Sequence, residues 1–280
     1  MGLVSSKIKK PGPNSIKIFR IDSNEKLDQE KERTYLRHDI VRVIFNGNFS
    51  SPVYDVLKLG GARVLDIGCG QGAWICEMSS DFPHCEFFGT EIIDKIIPQI
   101  KPSNVSIIKA NILDGLPFPD NYFDFVNIRN LLYDFTELEW ETLVIPECIR
   151  VLKIGGWIEI SDTEIDVKDC GPETLKVTSK MIKFLESKNV NPYIVHQLEE
   201  FMNSRQELHK IDHISRPFQL GVWNNALKEP CARYSKETFD VLAKFAGSKP
   251  DIDTVTRTCM NECTLNSSYF NVHRFYGQKL

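Results

Sequence analysis

The chain has 280 residues, 42% of them hydrophobic and 26% charged, which is ordinary for a soluble globular protein with a substantial core. A net charge of −4 provides no global positive field, so nucleic acid is not an expected partner. No apolar run approaches the roughly 20 residues of a membrane-spanning helix, and the polar, basic start does not read as a secretory signal.

Residues 1 to about 25 read as a flexible basic tail, broken by Pro11, Gly12 and Pro13. Its start, Met1-Gly2-Leu3-Val4-Ser5-Ser6-Lys7, fits N-myristoylation at Gly2. Lys7, Lys9 and Lys10 would add the basic cluster that a single acyl chain needs to hold a membrane surface. An ordinary disordered tail is the alternative. The expected location is cytoplasmic, with peripheral membrane association through the N-terminus if Gly2 is acylated and nuclear residence left open. The eight cysteines form no CxxC pair, so no metal site is expected and most should be buried free thiols.

From residue 26 to 280 a single domain is expected. Apolar spacing predicts helices over Asp28–Phe45 and Val53–Leu59, a strand over Val64–Ile67 and a helix over Ala73–Ser80. Strands follow at Glu86–Thr90, Val105–Lys109 and Phe123–Ile128. A helix over Glu137–Val151 should stop at Gly155-Gly156 before a fifth strand, Trp157–Ser161. Two helices are expected between Pro172 and Arg205, a strand near His209–Ser215, helices over Lys236–Gly247 and Asp251–Cys263, and a last strand over Tyr269–Tyr276. Strands alternating with helices predict a parallel α/β sheet covered on both faces.

The sequence Val64-Leu65-Asp66-Ile67-Gly68-Cys69-Gly70-Gln71-Gly72 joins a buried strand to a helix through glycines, which let bare backbone approach a ligand. A second strand ends on Glu91, where a nucleotide fold presents an acid to a ribose diol. Dinucleotides and S-adenosylmethionine both use this arrangement. Gly68, Gly70 and Ala73 satisfy the relaxed dinucleotide pattern, whereas Asp66 and Gly72 favour S-adenosylmethionine.

With Leu116-Pro117-Phe118, Phe123-Asp124 and Arg150-Val151-Leu152-Lys153-x-Gly155-Gly156-Trp157 following in order, the sequence resembles the class I S-adenosylmethionine-dependent methyltransferases over about residues 30 to 280. Asn48-Phe49-Ser50-Ser51-Pro52 and the ending Tyr269-x-x-x-x-Arg274-x-Tyr276-Gly277 are similar to fungal enzymes related to the secondary-metabolism regulators. The resemblance implies a Rossmann-like, seven-stranded, mostly parallel sheet with a helical lid inserted at about 165–206. It implies S-adenosylmethionine as cofactor and assigns the methionine-side loop to Asp66, Gly68 and Gly70, with Cys69, Gln71 and Gly72 completing the turn. Glu91 would take the ribose hydroxyls, Ile92 the adenine face, Asn111 the adenine amine and Ile112 an adjacent backbone contact. Arg129 would lie at the mouth, where methyl group and acceptor meet. Gln71 replaces the more usual proline or threonine, and its side-chain contact is left open.

A sulfonium is already an activated leaving group, so positioning and water exclusion suffice and no triad or metal cluster is required. Trp74, Phe118 and Trp157 are assigned to the core, and His213 and His273, with no visible acid partner, to structural roles. The expected activity is methyl transfer to a small molecule, with no catalytic residue assigned. A cofactor-binding regulator acting through protein partners and a NAD-dependent oxidoreductase are the competing readings.

Overall fold

The computed structural model describes residues 24–222, 228–245 and 251–280, with side chains for 33–222, 229–244 and 251–280. Gly2 and the basic tail lie outside the described residues. Helices α1 (Asn24–Ile44) and α2 (Tyr54–Leu59) precede β1 (Arg63–Ile67), α3 (Ala73–Asp81), β2 (Glu86–Glu91), β3 (Val105–Lys109) and β4 (Phe123–Arg129). There follow α4 (Glu137–Glu139), α5 (Ile145–Val151), β5 (Leu152–Thr163), α6 (Pro172–Ser187) and α7 (Leu198–Asn203). The remainder is β6 (Leu208–Gln219), α8 (Lys228–Phe245), α9 (Ile252–Asn266) and β7 (Tyr269–Lys279).

The seven strands of the described residues form one sheet in the order β3-β2-β1-β4-β5-β7-β6. Pairing is parallel from β3 to β5, and β7 runs antiparallel between β5 and β6. Successive strand residues point to opposite faces, so β1 sends Val64 to one core and Leu65 to the other. On one face Val64, Phe87, Phe125 and Trp157 pack with Trp74, Ile75 and Met78 of α3; on the other Leu65, Val126 and Ile158 pack with Ile145, Cys148, Leu198 and Met202. Burial on both faces explains why these strands read as continuous apolar runs. A third core joins Ile40 and Val41 of α1, Val177 and Met181 of α6, Phe239 of α8 and Cys259 and Cys263 of α9. The helical cap therefore draws on both ends of the chain; of the expected lid insertion at about 165–206, α6 belongs to it, whereas α7 packs on the sheet through Leu198 and Met202.

Two local expectations are corrected. The helix expected over Glu137–Val151 is interrupted by a π-helical turn at Trp140–Val144, where the Ile145 N–H bonds the Trp140 carbonyl. Pro146 has no N–H to give and its ring crowds the carbonyl four residues back, so the wider turn accommodates it. Gly155-Gly156 is not a helix stop either. Strand β5 begins at Leu152, opposite Phe123, and its pairing next resumes at Trp157 opposite Phe125. Lys153–Gly156 is thus a bulge within the strand, and the φ of +79° at Gly155 is what permits it.

A buried ion pair explains why two remote motifs occur together. Arg274 Nε of β7 lies 3.5 Å from Glu159 Oε1 of β5, and both side chains are essentially inaccessible. Glu159 Oε2 accepts from Ser50 N, Ser51 N and Ser51 Oγ at 2.7–2.8 Å. Arg274 donates to the Gly47 carbonyl and Ser50 Oγ and stacks over Phe45. Trp74 Nε1 adds a bond to the Asn48 carbonyl at 2.8 Å. The loop between α1 and α2 is thereby fastened to the sheet beside the glycine turn.

Candidate functional site

In the sheet order, β1 and β4 are the adjacent strands whose neighbours continue in opposite directions. Connections leaving their carboxyl ends diverge to opposite faces and leave a crevice there. Ile67 of β1 opens it on one side with Gly68, and Arg129 closes β4 on the other.

The glycine turn has positive φ at Gly68 (67°), Gly70 (55°) and Gly72 (77°), a backbone path other residues rarely follow. It is tied down by Cys69 N donating to the Thr90 carbonyl and Gly72 N to the Cys69 carbonyl, each at 2.9 Å. A Cβ on Gly68 would stand 2.5 Å from Leu131 Cδ1, whereas one on Gly70 would meet nothing within 4 Å. Gly68 is thus demanded by packing; Gly70 faces open space.

That space is a cavity of about 260 Å³, walled by Asp66, Gly68, Cys69, Gly70, Gln71, Glu91 and Arg129. A smaller one of about 40 Å³ shares Gly68, Glu91, Leu131 and Asp134 with it and adds Ile92, Asn111 and Ile112. Gly72 lines neither; it caps α3, packed toward Cys76 and Pro98. The sequence-predicted residues are therefore brought to one crevice, with Gly72 just behind it.

Glu91 is buried, with Oε1 accepting from Ile92 N (2.8 Å) and Ile93 N (3.0 Å) and Oε2 from Gly70 N (3.2 Å). This carboxylate links the end of β2 to the glycine turn. Asp66 is buried and its Oδ1 accepts from Asn127 Nδ2 at 2.7 Å, the two residues facing each other across β1 and β4. Burial pushes the Asp66 carboxyl up to about 7, against the pull of Arg129 and of the Asn127 hydrogen bond. Asn111 Oδ1 accepts from Leu113 N at 3.2 Å and its Nδ2 donates to Asp114, so its amide caps the turn after β3. Arg129 Nη2 donates to His38 Nδ1 at 3.1 Å, and His38 Nε2 in turn bonds Glu77. Burial, then the Arg129 charge, lowers His38 to about 4, so it is neutral at physiological pH. Arg129 Nη1 and Gln71 Nε2 are buried donors with no hydrogen-bond partner among the described residues.

Much of the larger cavity's lining is apolar, from Ile165, Val167, Met181, Leu220, Phe239, Leu242 and Phe270. Arg33, Thr34 and Arg37 of α1, Tyr133, and the buried acids Asp162 and Glu164 complete the wall. Sequence reasoning missed these. Asp162 and Glu164 had a signal, since they flank Thr163, the last residue of β5, at the carboxyl edge where such sites lie. Arg33 and Arg37, one turn apart on α1, had only helical spacing. The histidines are corrected outright: His213 and His273 contact each other, and each faces a carboxylate.

A methyltransferase domain model matches residues 64–156. The chain is 27% identical to the methyltransferase str3 of Strobilurus tenacellus over 201 residues, 70% of either protein. It is 26% identical to the secondary metabolism regulator laeA of Coprinopsis cinerea, covering 58% of this chain and 40% of that one. It is 29% identical to the N-methyltransferase verN of Clonostachys rogersoniana, covering 57% and 55%. The chain thus spans about half the length of the latter two. The plantazolicin methyltransferase BpumL, solved with a triazolic desmethylPZN analog and SAH, superposes with a TM-score of 0.50 at 14% identity over 92% of each chain, a likeness of fold.

Proposed function

We propose that the chain, with a methyltransferase domain match over residues 64–156 and methyltransferase relatives, is a class I S-adenosylmethionine-dependent methyltransferase that methylates a small, largely apolar molecule held in the cavity beneath α1, α6 and α8. The observation that carries this reading is a cavity lined both by charged groups at the glycine turn and by hydrocarbon. Beside the glycine turn it offers a buried carboxylate, Asp66, together with the unpartnered donors Arg129 Nη1 and Gln71 Nε2. That pairing suits an amino-acid zwitterion, whose ammonium meets the acid and whose carboxylate meets the donors. Met181, Leu220, Phe239, Leu242 and Phe270 line the same cavity with hydrocarbon.

The residues present fit the cofactor. Glu91, at the end of β2 beside the glycine turn, would hold the ribose hydroxyls. Ile92 and Ile112 would flank adenine, with the remaining lone pair of Asn111 Oδ1 for the amine. The open space above Gly70 is the room that backbone approach requires. Bound there, S-adenosylmethionine supplies a methyl group already activated on sulfur. The chain's own contribution is alignment and water exclusion: α8 and Met181 of α6 cover the acceptor, while the Glu159–Arg274 pair and Trp74 fix the loop beside the turn.

Methyl-labelled S-adenosylmethionine added with the protein to an extract of its source organism should label an organic-soluble small molecule. Tight cofactor binding with no labelling would instead support a regulatory role, the reading favoured by the likeness to laeA. NAD-dependent oxidoreduction is the weaker alternative, since Asp66 stands where a dinucleotide presents no ammonium. We also propose acylation at Gly2, giving peripheral membrane attachment; an unmodified N-terminus in mass spectrometry of the native protein would refute it. Among the described residues no helix is long and apolar enough to cross a membrane.

A further inference from the structure

Glu164, His273, His213 and Glu199 form a line from the cavity to solvent. Glu164, on the cavity wall, accepts at Oε1 from the backbone and side-chain N–H groups of Asn271, both at 2.8 Å. Its Oε2 faces His273 Nε2 at 3.7 Å. His273 Nδ1 lies 2.9 Å from His213 Nε2, and His213 Nδ1 faces Glu199 Oε2 at 3.5 Å. Side-chain exposure rises along the line from 3% and 5% at Glu164 and His273 to 27% and 49% at His213 and Glu199. The antiparallel register sets the two histidines diagonally on one face of β6 and β7, with Phe275 stacked on His213 at 4.0 Å.

Two imidazoles in series between two carboxylates have three places for a proton: toward Glu164, between the rings, and toward Glu199. Neutral rings carry two. With the ring–ring hydrogen bond made, a neutral pair leaves one carboxylate facing a bare nitrogen, and one further proton fills all three places. His273 Nε2 has no hydrogen-bond partner among the described residues, so a proton that enters at Glu164 can leave at Glu199 once the 3.7 Å gap between Glu164 and His273 closes to hydrogen-bond distance.

We propose that Glu164 takes the proton of an O–H or N–H methyl acceptor and that His273, His213 and Glu199 pass one to solvent. This rests on the methyl-transfer reading of the cavity. The acceptor's bond to hydrogen breaks, the proton goes to Glu164 Oε2, and the electron pair left behind forms the bond to the methyl carbon. The pair of the broken carbon–sulfur bond stays on sulfur. Glu164 is then reset by His273. Its charged form is favoured at rest: burial opposes ionisation, but His273 at 3.7 Å, the Asn271 hydrogen bonds and the Lys168 charge outweigh it. The other groups about it are Asp162, Asp166, Tyr133 and His196, the last 4.0 Å from Oε2 and exposed. At the outer end burial and His273 hold His213 below its ordinary range, against Glu199 and Asp212, so it releases a proton readily.

Two readouts on the full chain test this. In imidazole nitrogen NMR across pH 5 to 9, Glu164→Gln should move the titration of His213 by about half a pH unit or more, although His273 stands between them. Glu199→Gln, a surface change that leaves folding intact, should likewise move His273. Independent titrations, with each variant felt only by its neighbour, would overturn the relay. In the labelling assay His273→Gln should lose about 10²-fold in rate and regain much of it with added imidazole, while His196→Gln stays within about twofold. A His273→Gln loss that imidazole does not restore, or no loss, refutes the proton path. Absence of labelling by the unaltered chain refutes methyl transfer itself, and the NMR titrations then decide whether the proton line exists.

Discussion

Replacing Asp66 by Asn should make the protein more stable as pH rises, at the expense of ligand binding. Asp66 is 4% exposed, and burial raises its carboxyl from 3.8 to about 7. The folded state therefore binds more protons at this position than the unfolded chain between about pH 4 and 7. Stability contributed here is full below pH 4, falls as pH rises, and levels off above about pH 7. A shift of this size is worth about 4 kcal/mol, with roughly 2 to 3 kcal/mol of it developing between pH 5 and 8. Asn keeps the acceptor for Asn127 Nδ2 but cannot ionise. The attraction between Asp66 and Arg129 is already part of that shift, and Arg129, lowered by burial only to about 10, stays charged throughout the range. Urea unfolding of both proteins at pH 5, 6.5 and 8 isolates the effect as a changing difference. The gap should move by about 2 kcal/mol in favour of Asp66→Asn between the extremes. Parallel stability curves would refute the buried-acid description of this position.

Ligand binding should show the same group from the other side. An ammonium placed on Asp66 lowers its pKa, so S-adenosylhomocysteine binding at pH 6.5 should release most of one proton, seen as a dependence of the calorimetric heat on buffer ionisation enthalpy. Gly68→Val should abolish that binding in a folded protein, because a Cβ there lies 2.5 Å from Leu131 and φ is 67°. Circular dichroism separates this from unfolding. Glu159→Gln strands Arg274 as an unpaired buried charge and should cost about 3 to 5 kcal/mol in urea unfolding, with Trp74 fluorescence reporting release of the 46–52 loop. A loss below about 1 kcal/mol would show that the pair does not hold that loop.

Local signals made the sheet and the glycine turn readable. Val64–Ile67 is apolar on both faces because β1 is covered on both, and Gly68 to Gly72 announce a backbone path that needs positive φ. Glu91 was legible because it ends a strand at a fixed distance along the chain. What stayed hidden depends on partners remote in sequence. Glu159 and Arg274, 115 positions apart, look like alternate strand polar residues until β5 and β7 pair. His213 and His273 looked isolated because their contacts cross from β6 to β7 and reach Glu164 and Glu199. Pro146 and Gly155 misled in opposite ways: one was absorbed by a π turn, the other by a bulge rather than a helix stop.

The central claim is that the crevice beyond β1 and β4 is a site for S-adenosylmethionine, and calorimetry with S-adenosylhomocysteine tests it most directly. Saturable binding that weakens by roughly tenfold or more in Glu91→Ala, together with no heat from NADH, is the predicted result. NADH binding in place of S-adenosylhomocysteine, or an affinity indifferent to Glu91, would contradict it.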